Sequence, residues 1–188
     1  MVTACRESLQ RLDRPVLDVA QLHWPPPLGW QEKGYLAGFA QLQRSGTARE
    51  IGLSNYGPKT LRAAHAELQK QGATLASNQV QFSLVSRVPL QSGLFDVCKE
   101  LSITPIAYSP LGLGLLTDRY SIAKDNLPPG PRGFLFRSLL PELDPLLSVL
   151  REIGAKRNKS CGQIAINWTI CKGAGESGLN LCTLCDMS

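Results

Sequence analysis

The 188-residue sequence has no apolar run close to the roughly 18 residues a membrane-spanning helix needs. Its first residues, Met1-Val2-Thr3-Ala4-Cys5, carry no apolar signal core and leave too little length for a transit peptide before structure begins. It has no block of like charge: 20 Lys and Arg against 15 Asp and Glu leave a formal net charge of +5, scattered over helix faces and loops. That distribution suits a solvated surface better than a nucleic-acid-binding stripe. Low-complexity segments are also missing. The expectation is therefore a chain with neither nucleic acid nor membrane as partner, cytoplasmic by default. No metal site is expected. The six cysteines include one close pair, Cys182-Thr183-Leu184-Cys185, and no further Cys or His stands nearby at zinc-ligand spacing. The scattered cysteines suit a reducing compartment.

What is present is a rhythm. Short runs rich in Val, Ile and Leu at 16–22, 50–53, 76–82 and 104–108 read as buried parallel strands. Between and after them, helical spacing recurs at about 31–44, 58–71, 91–101, 143–156 and 162–172. Pro58 suits a first helical turn and Gly72 a helix stop. Strand and helix alternating over short connections predict an α/β fold with a parallel sheet. The rhythm breaks at 110–141, where Asn126-Leu127-Pro128-Pro129-Gly130-Pro131-Arg132-Gly133 suggests a long loop or lid. Residues 1–172 read as one domain and 173–188 as an atypical flexible tail.

Four segments carry chemistry. Gln21-Leu22-His23-Trp24-Pro25 places an imidazole where a strand meets its loop, on the side where parallel barrels keep their reactive groups. Ile51-Gly52-Leu53-Ser54-Asn55-Tyr56 puts a hydroxyl and an amide just past the next strand, and Asn78-Gln79-Val80-Gln81 adds amides on the third. Such groups can match the donors and acceptors of a planar carboxamide. Tyr108-Ser109-Pro110-Leu111 ends the fourth strand with a ring able to stack on a heterocycle and a loop able to offer N–H groups to phosphate. Each alone has a plainer reading: a satisfied strand-end histidine, a Ser-Asn helix cap, a packing tyrosine.

In this order, the four segments resemble the aldo-keto reductase family, most closely its plant members, over about residues 7–172. The resemblance implies a (β/α)8 TIM barrel, of which this chain holds about four strand-helix units, the family's fourth to seventh strands. It implies NADP(H) as cofactor and reduction of aldehydes or ketones, a small carbonyl compound being the substrate. By resemblance His23 is the active-site histidine that orients the substrate carbonyl, and Trp24 is a wall of its pocket. Ser54, Asn55 and Gln79 hold the nicotinamide carboxamide and Tyr108 stacks on its ring. Ser109 and Leu111 line the diphosphate path. Arg119, in Thr117-Asp118-Arg119-Tyr120, lies where relatives carry a basic residue near the phosphates, although Asp118 stands where they usually have Gly; Arg132 is a further candidate.

The family's proton-donating tyrosine, with its lysine and aspartate, has no counterpart here. Tyr35, Tyr56, Tyr108 and Tyr120 match none of that motif. The chain is therefore expected to be cut at both ends relative to a closed barrel, and to be weak or inactive alone. Open barrel edges would favour self-association. The alternative expectation is a non-catalytic interaction or dominant-negative module. A longer plant form could reside in a plastid.

Overall fold

The computed structural model describes residues 2–174. Along the chain run α1 (Val2–Leu12), β1 (Leu17–Leu22), α2 (Glu32–Arg44), β2 (Ala48–Ser54), α3 (Pro58–Lys70), β3 (Ser77–Gln81), α4 (Val88–Gln91), α5 (Leu94–Glu100), β4 (Thr104–Tyr108), α6 (Pro131–Arg157) and α7 (Cys161–Cys171). The strands form one sheet in the order β1-β2-β3-β4. β1 and β2 pair in parallel with Gln21 opposite Gly52, and β2 and β3 pair in parallel with Gly52 opposite Ser77 and Ser54 opposite Gln79. The Thr104 N–H donates to the carbonyl of Ala76, just before β3, at 2.8 Å. Strand C-termini are thus stacked side by side, and the loops that leave them carry the candidate residues.

The described chain divides into two compact units. The first comprises residues 2–80 and Val88–Ile106. Leu36, Phe39 and Ala40 of α2 and Leu61, Ala64 and Leu68 of α3 recur at three- and four-residue spacing, so each helix presents one apolar stripe. Those stripes join Ile51 and Leu53 of β2 in a single core. Pro58 occupies the first turn of α3, where its missing N–H costs nothing.

The second unit comprises Gln81–Arg87 and Ala107–Ala174. Its core gathers Leu115, Leu116, Phe136, Leu140, Leu147, Leu150, Cys161 and Ala165. Here the structure corrects the expected loop over 110–141: α6 begins at Pro131 and runs 27 residues through Pro141 and Pro145. Proline inside a helix removes a hydrogen bond and crowds the carbonyl four residues back, at about 3 kcal/mol or more. Both prolines are exposed, as is Arg137, so the carbonyls they deprive face water. Phe136, Leu140, Leu147 and Leu150 meanwhile stay on the buried face, and their burial, at about 1.5–3 kcal/mol each, offsets the prolines. Gly133 permits the turn into α6, since a Cβ there would collide with the Pro128 carbonyl oxygen. At the far end Ser160 caps α7 in a capping box with Gln163. The expected tail from residue 175 on, with Cys182 and Cys185, lies outside the described residues. Among the described residues no helix is long and apolar enough to cross a membrane.

Candidate active site

In the first unit, His23 follows the last residue of β1 and is exposed. Trp24 is 57% exposed, its ring 6.1 Å from the imidazole and tilted by 39°. The pair stands at the strand C-terminus, where the sequence placed it.

One strand over, the end of β2 is held by a dense set of polar contacts. The Ser54 hydroxyl donates to the Gln79 carbonyl at 2.9 Å, and the Asn55 N–H donates to the same oxygen at 2.8 Å. Asn55 Nδ2 in turn donates to Ser54 Oγ at 3.1 Å. Asn55 has φ +63°, a left-handed conformation that asparagine tolerates better than most residues. Asn78 is wholly buried and clamps the next residue: its Nδ2 donates to the Tyr56 carbonyl at 2.9 Å while its Oδ1 accepts the Tyr56 N–H at 3.4 Å. A buried amide used in this way fixes the loop rather than reacting. Tyr56 is also buried; burial first, then the charge of Glu32, push its phenol above the usual range, so it holds its proton.

The Ser54 hydroxyl has spent its one proton on a backbone oxygen and can only accept more. On β3, Gln79 Oε1 accepts a 2.6 Å hydrogen bond from Gln21 Nε2. Acceptor at Ser54 and amide at Gln79 make a set chemically suited to a carboxamide, which is both donor and acceptor. Gln21 was not singled out from sequence. Its signal was available: it lies two residues before His23, and strand alternation puts such residues on one face.

In the second unit, half-buried Tyr108 ends β4, and its carbonyl accepts the Phe82 N–H at 3.3 Å. The backbone then enters left-handed conformations at Ser109, Gly112, Leu113, Gly114 and Asp118. Gly112, Leu113 and Gly114 are left-handed in succession, and the N–H groups of Gly112, Gly114 and Leu116 donate to the Ser109 and Leu111 carbonyls, which hold the loop in shape. Leu113, with φ +58°, has a side chain that resists this conformation, and such strain concentrates at functional sites. A cavity of about 400 Å³ opens here, lined by Ser109, Leu111, Gly114, Arg119, Tyr120 and Arg132 among others. Arg132 donates to the Leu113 carbonyl, and its guanidinium lies 5.7 Å from the Tyr120 ring centre and 5.2 Å from that of Phe136. Arg119 stands 5.8 Å from the Tyr120 ring centre. Gly114 leaves the room Arg132 needs: a Cβ would come within 2.9 Å of Nη2. Two cations lining an open cradle fit a phosphate-bearing group.

Asp118, the departure from the expected glycine, adopts the left-handed conformation a glycine would take, with φ +57°. Its carboxylate is held in a two-pronged pair by Arg151, with Nε–Oδ2 at 3.0 Å and Nη2–Oδ1 at 2.9 Å. That pairing offsets the negative charge beside Arg119. It also pushes the Arg151 guanidinium above its usual range, with Asp144 adding a smaller contribution.

A family model described as the aldo/keto reductase family matches residues 1–178. Pyridoxal reductase, chloroplastic, of Arabidopsis thaliana is 49% identical over 176 residues, which are 92% of this chain and 47% of that protein. Aldo-keto reductase str7 of Strobilurus tenacellus is 30% identical over 174 residues, 90% of this chain and 50% of that protein. Among solved structures, the thermostable aldo-keto reductase Tm1743, solved with the inhibitor epalrestat, superposes with a TM-score of 0.68 at 25% identity, covering 91% of this chain and 52% of that one. The glycerol dehydrogenase AKR11B4 of Gluconobacter oxydans gives a TM-score of 0.70 at 22% identity, with coverage of 91% and 51%, and shows the fold alone. The chain spans about half the length of the curated relatives it matches. Its four-stranded parallel α/β sheet is accordingly part of a TIM-barrel architecture. Motif order, sheet topology and these matches agree, and the chain belongs to the aldo/keto reductase family.

Proposed function

We propose that this chain carries the histidine and the nicotinamide- and phosphate-facing residues of an NADP(H)-dependent carbonyl reductase. The observation that carries the reading is the Ser54–Asn55–Gln79 set at the ends of β2 and β3, where hydroxyl, amide and backbone are already locked together. When bound, NADPH would supply the hydride. Ser54, Asn55 and Gln79 would fix its carboxamide, Tyr108 would pack on its ring, and Ser109, Leu111 and Arg119, now joined by Arg132, would receive its phosphates. His23 would donate a hydrogen bond to the carbonyl oxygen and orient it for attack. Trp24 would wall the carbonyl pocket.

None of Tyr35, Tyr56, Tyr108 and Tyr120 matches the family's proton donor. General acid catalysis is worth about 10²–10⁴-fold, so the 188 residues alone should turn over slowly at best. The relative from Arabidopsis acts, by its name, on pyridoxal in the chloroplast. A small aldehyde as substrate, and a plastid as location for a longer plant form, follow on the same reading.

The test is NADPH titration of the purified chain, followed by the fluorescence of Trp24, Trp30 and Trp168. Saturable quenching that weakens in Ser54→Ala and Gln79→Ala supports the reading; a folded chain that does not respond refutes it.

A second reading, self-association, is favoured by one observation. β1 is the end strand of the described sheet, and a cavity of about 520 Å³ beside it is lined by Leu17, Val19, Leu22, Tyr35 and Phe39 among others. A concentration-dependent dimer in light scattering would support it, and a monomer at all concentrations would refute it.

A further inference from the structure

Gln21 and Gln79 lie on β1 and β3, with β2 between them. Adjacent strands are about 4.8 Å apart, so the two backbones stand almost 10 Å from each other. Two extended glutamines can meet across that span only if the middle strand raises no side chain between them. The middle residue in the register is Gly52, paired with Gln21 on one side and Ser77 on the other. A Cβ on Gly52 would lie 3.1 Å from Gln21 Oε1 and 3.3 Å from Gln21 Cγ. Gln21 therefore crosses β2 over the bare glycine to reach Gln79 at 2.6 Å.

The direction of that hydrogen bond matters. A primary amide has an oxygen end and an NH2 end of nearly the same shape, and only the surrounding donors and acceptors decide which end faces where. Gln21 Nε2 donates and Gln79 Oε1 accepts. The oxygen end of Gln79 is thereby committed to β1, and its NH2 end is the one left to a ligand. Ser54 Oγ, its proton already given to the Gln79 carbonyl, offers a lone pair.

We propose that Gln21, reaching across Gly52, is a positioning residue that sets the amide orientation of Gln79, so that the site presents a donor at Gln79 and an acceptor at Ser54 to the cofactor's carboxamide. The proposal rests on the cofactor reading above and deepens it. Gln21 acts through Gln79 and need not touch the cofactor. The pyridine substituent best held is one whose carbonyl oxygen points at Gln79.

The test compares two analogues of NADP⁺ on the 188-residue chain: the 3-acetylpyridine dinucleotide, whose substituent can only accept, and the 3-aminopyridine dinucleotide, whose substituent can only donate. Gln21→Glu is nearly isosteric, yet its carboxylate can only accept. It turns Gln79 so that NH2 faces β1 and oxygen faces the ligand. An amino group can then donate to Gln79 as well as to Ser54, whereas the acetyl oxygen meets acceptors on both sides. The affinity ratio of the aminopyridine to the acetylpyridine dinucleotide should therefore rise about tenfold in Gln21→Glu relative to wild type, the scale of one hydrogen bond lost or gained. Any effect of the added charge on both dinucleotides cancels in the ratio. Gln21→Leu, which frees Gln79 to turn either way, should bring the ratio within about threefold of wild type. An unchanged ratio in Gln21→Glu overturns the proposal. Should wild type bind neither dinucleotide, the cofactor reading fails separately, and the side-chain amide resonances decide the bridge. A Gln21 NH2 signal protected from exchange, and lost in Gln21→Leu, upholds the orientation device. A Gln21 signal at its solvent-exposed position overturns it.

Discussion

Gly52→Ala is the substitution on which the central strands should be judged. The new methyl would sit 2.7 Å from Ser77 Oγ and 3.1 Å from Gln21 Oε1. Gln21 is a flexible side-chain end and can move aside; Ser77 is rooted on β3 and buried, so it cannot easily do so. Overpacking of this kind costs about 1–3 kcal/mol, and the lower chain entropy of alanine in the unfolded state returns about 0.4–1. The net expectation is a loss of about 1–2 kcal/mol. Ser77 has a second property: its hydroxyl is buried without a hydrogen-bond partner. Ser77→Ala removes a polar atom that was desolvated for nothing, and should be neutral or stabilising by up to about 1 kcal/mol. It also removes the atom that the methyl strikes. The double variant should then recover most of the loss, with a coupling of about 1–2 kcal/mol. Urea unfolding followed by circular dichroism reads this directly. At a slope of about 1–3 kcal/mol per molar, Gly52→Ala should lower the midpoint by roughly 0.5–1 M, and Ser77→Ala should restore it. If Gly52→Ala costs the same with and without Ser77, the close approach across β2 and β3 is not the reason for glycine.

Ser160→Ala deletes the cap of α7, where Ser160 Oγ accepts the Gln163 N–H at 3.2 Å; about 1 kcal/mol of stability should be lost, and a change below 0.3 kcal/mol would refute the cap. Asp118→Gly relieves about 1 kcal/mol of left-handed strain and forfeits an exposed ion pair worth at most about 1, so the melting temperature should hardly move, while inorganic pyrophosphate should bind more tightly once the carboxylate beside Arg119 is gone. A large thermal loss would instead make the pair a structural lock. Burial pushes the Cys98 thiol up to about 11 from an ordinary 9. Both states are protonated below about pH 9; between 9 and 11 only the unfolded chain releases the proton, so stability should fall across that window. Cys98→Ala should flatten the fall in urea midpoints measured from pH 8 to 11, and an identical slope would refute the assignment.

The legible parts of the fold were those governed by local pattern. The strand at 104–108 and the helix starting at Pro58 were read to the residue, because Thr104, Ile106 and Tyr108 favour a strand at a period of two and a first-turn proline acts where it stands. The helix over 131–142 was not legible. Two prolines dominate the local signal there, and what overrules them is a buried stripe of Phe136 and Leu140 continuing to Leu147 and Leu150. In the site, the order of motifs pointed to the strand ends correctly. The partners of each amide did not show, because Gln21 and Gln79 are 58 residues apart and meet only through the register of three strands. Asp118 read as a defect in the phosphate loop; the residue that answers it, Arg151, is 33 positions away.

The two exposed prolines of α6 also bear on how that helix comes to exist at all. Its backbone ladder is interrupted twice within one and a half turns, and isolated helices are marginal even when uninterrupted. The first turns of α6 therefore have no helical existence of their own. Their helical form depends on Phe136 and Leu140 packing with Leu115 and Leu116, so that here tertiary contact, not local propensity, holds the backbone in its coil.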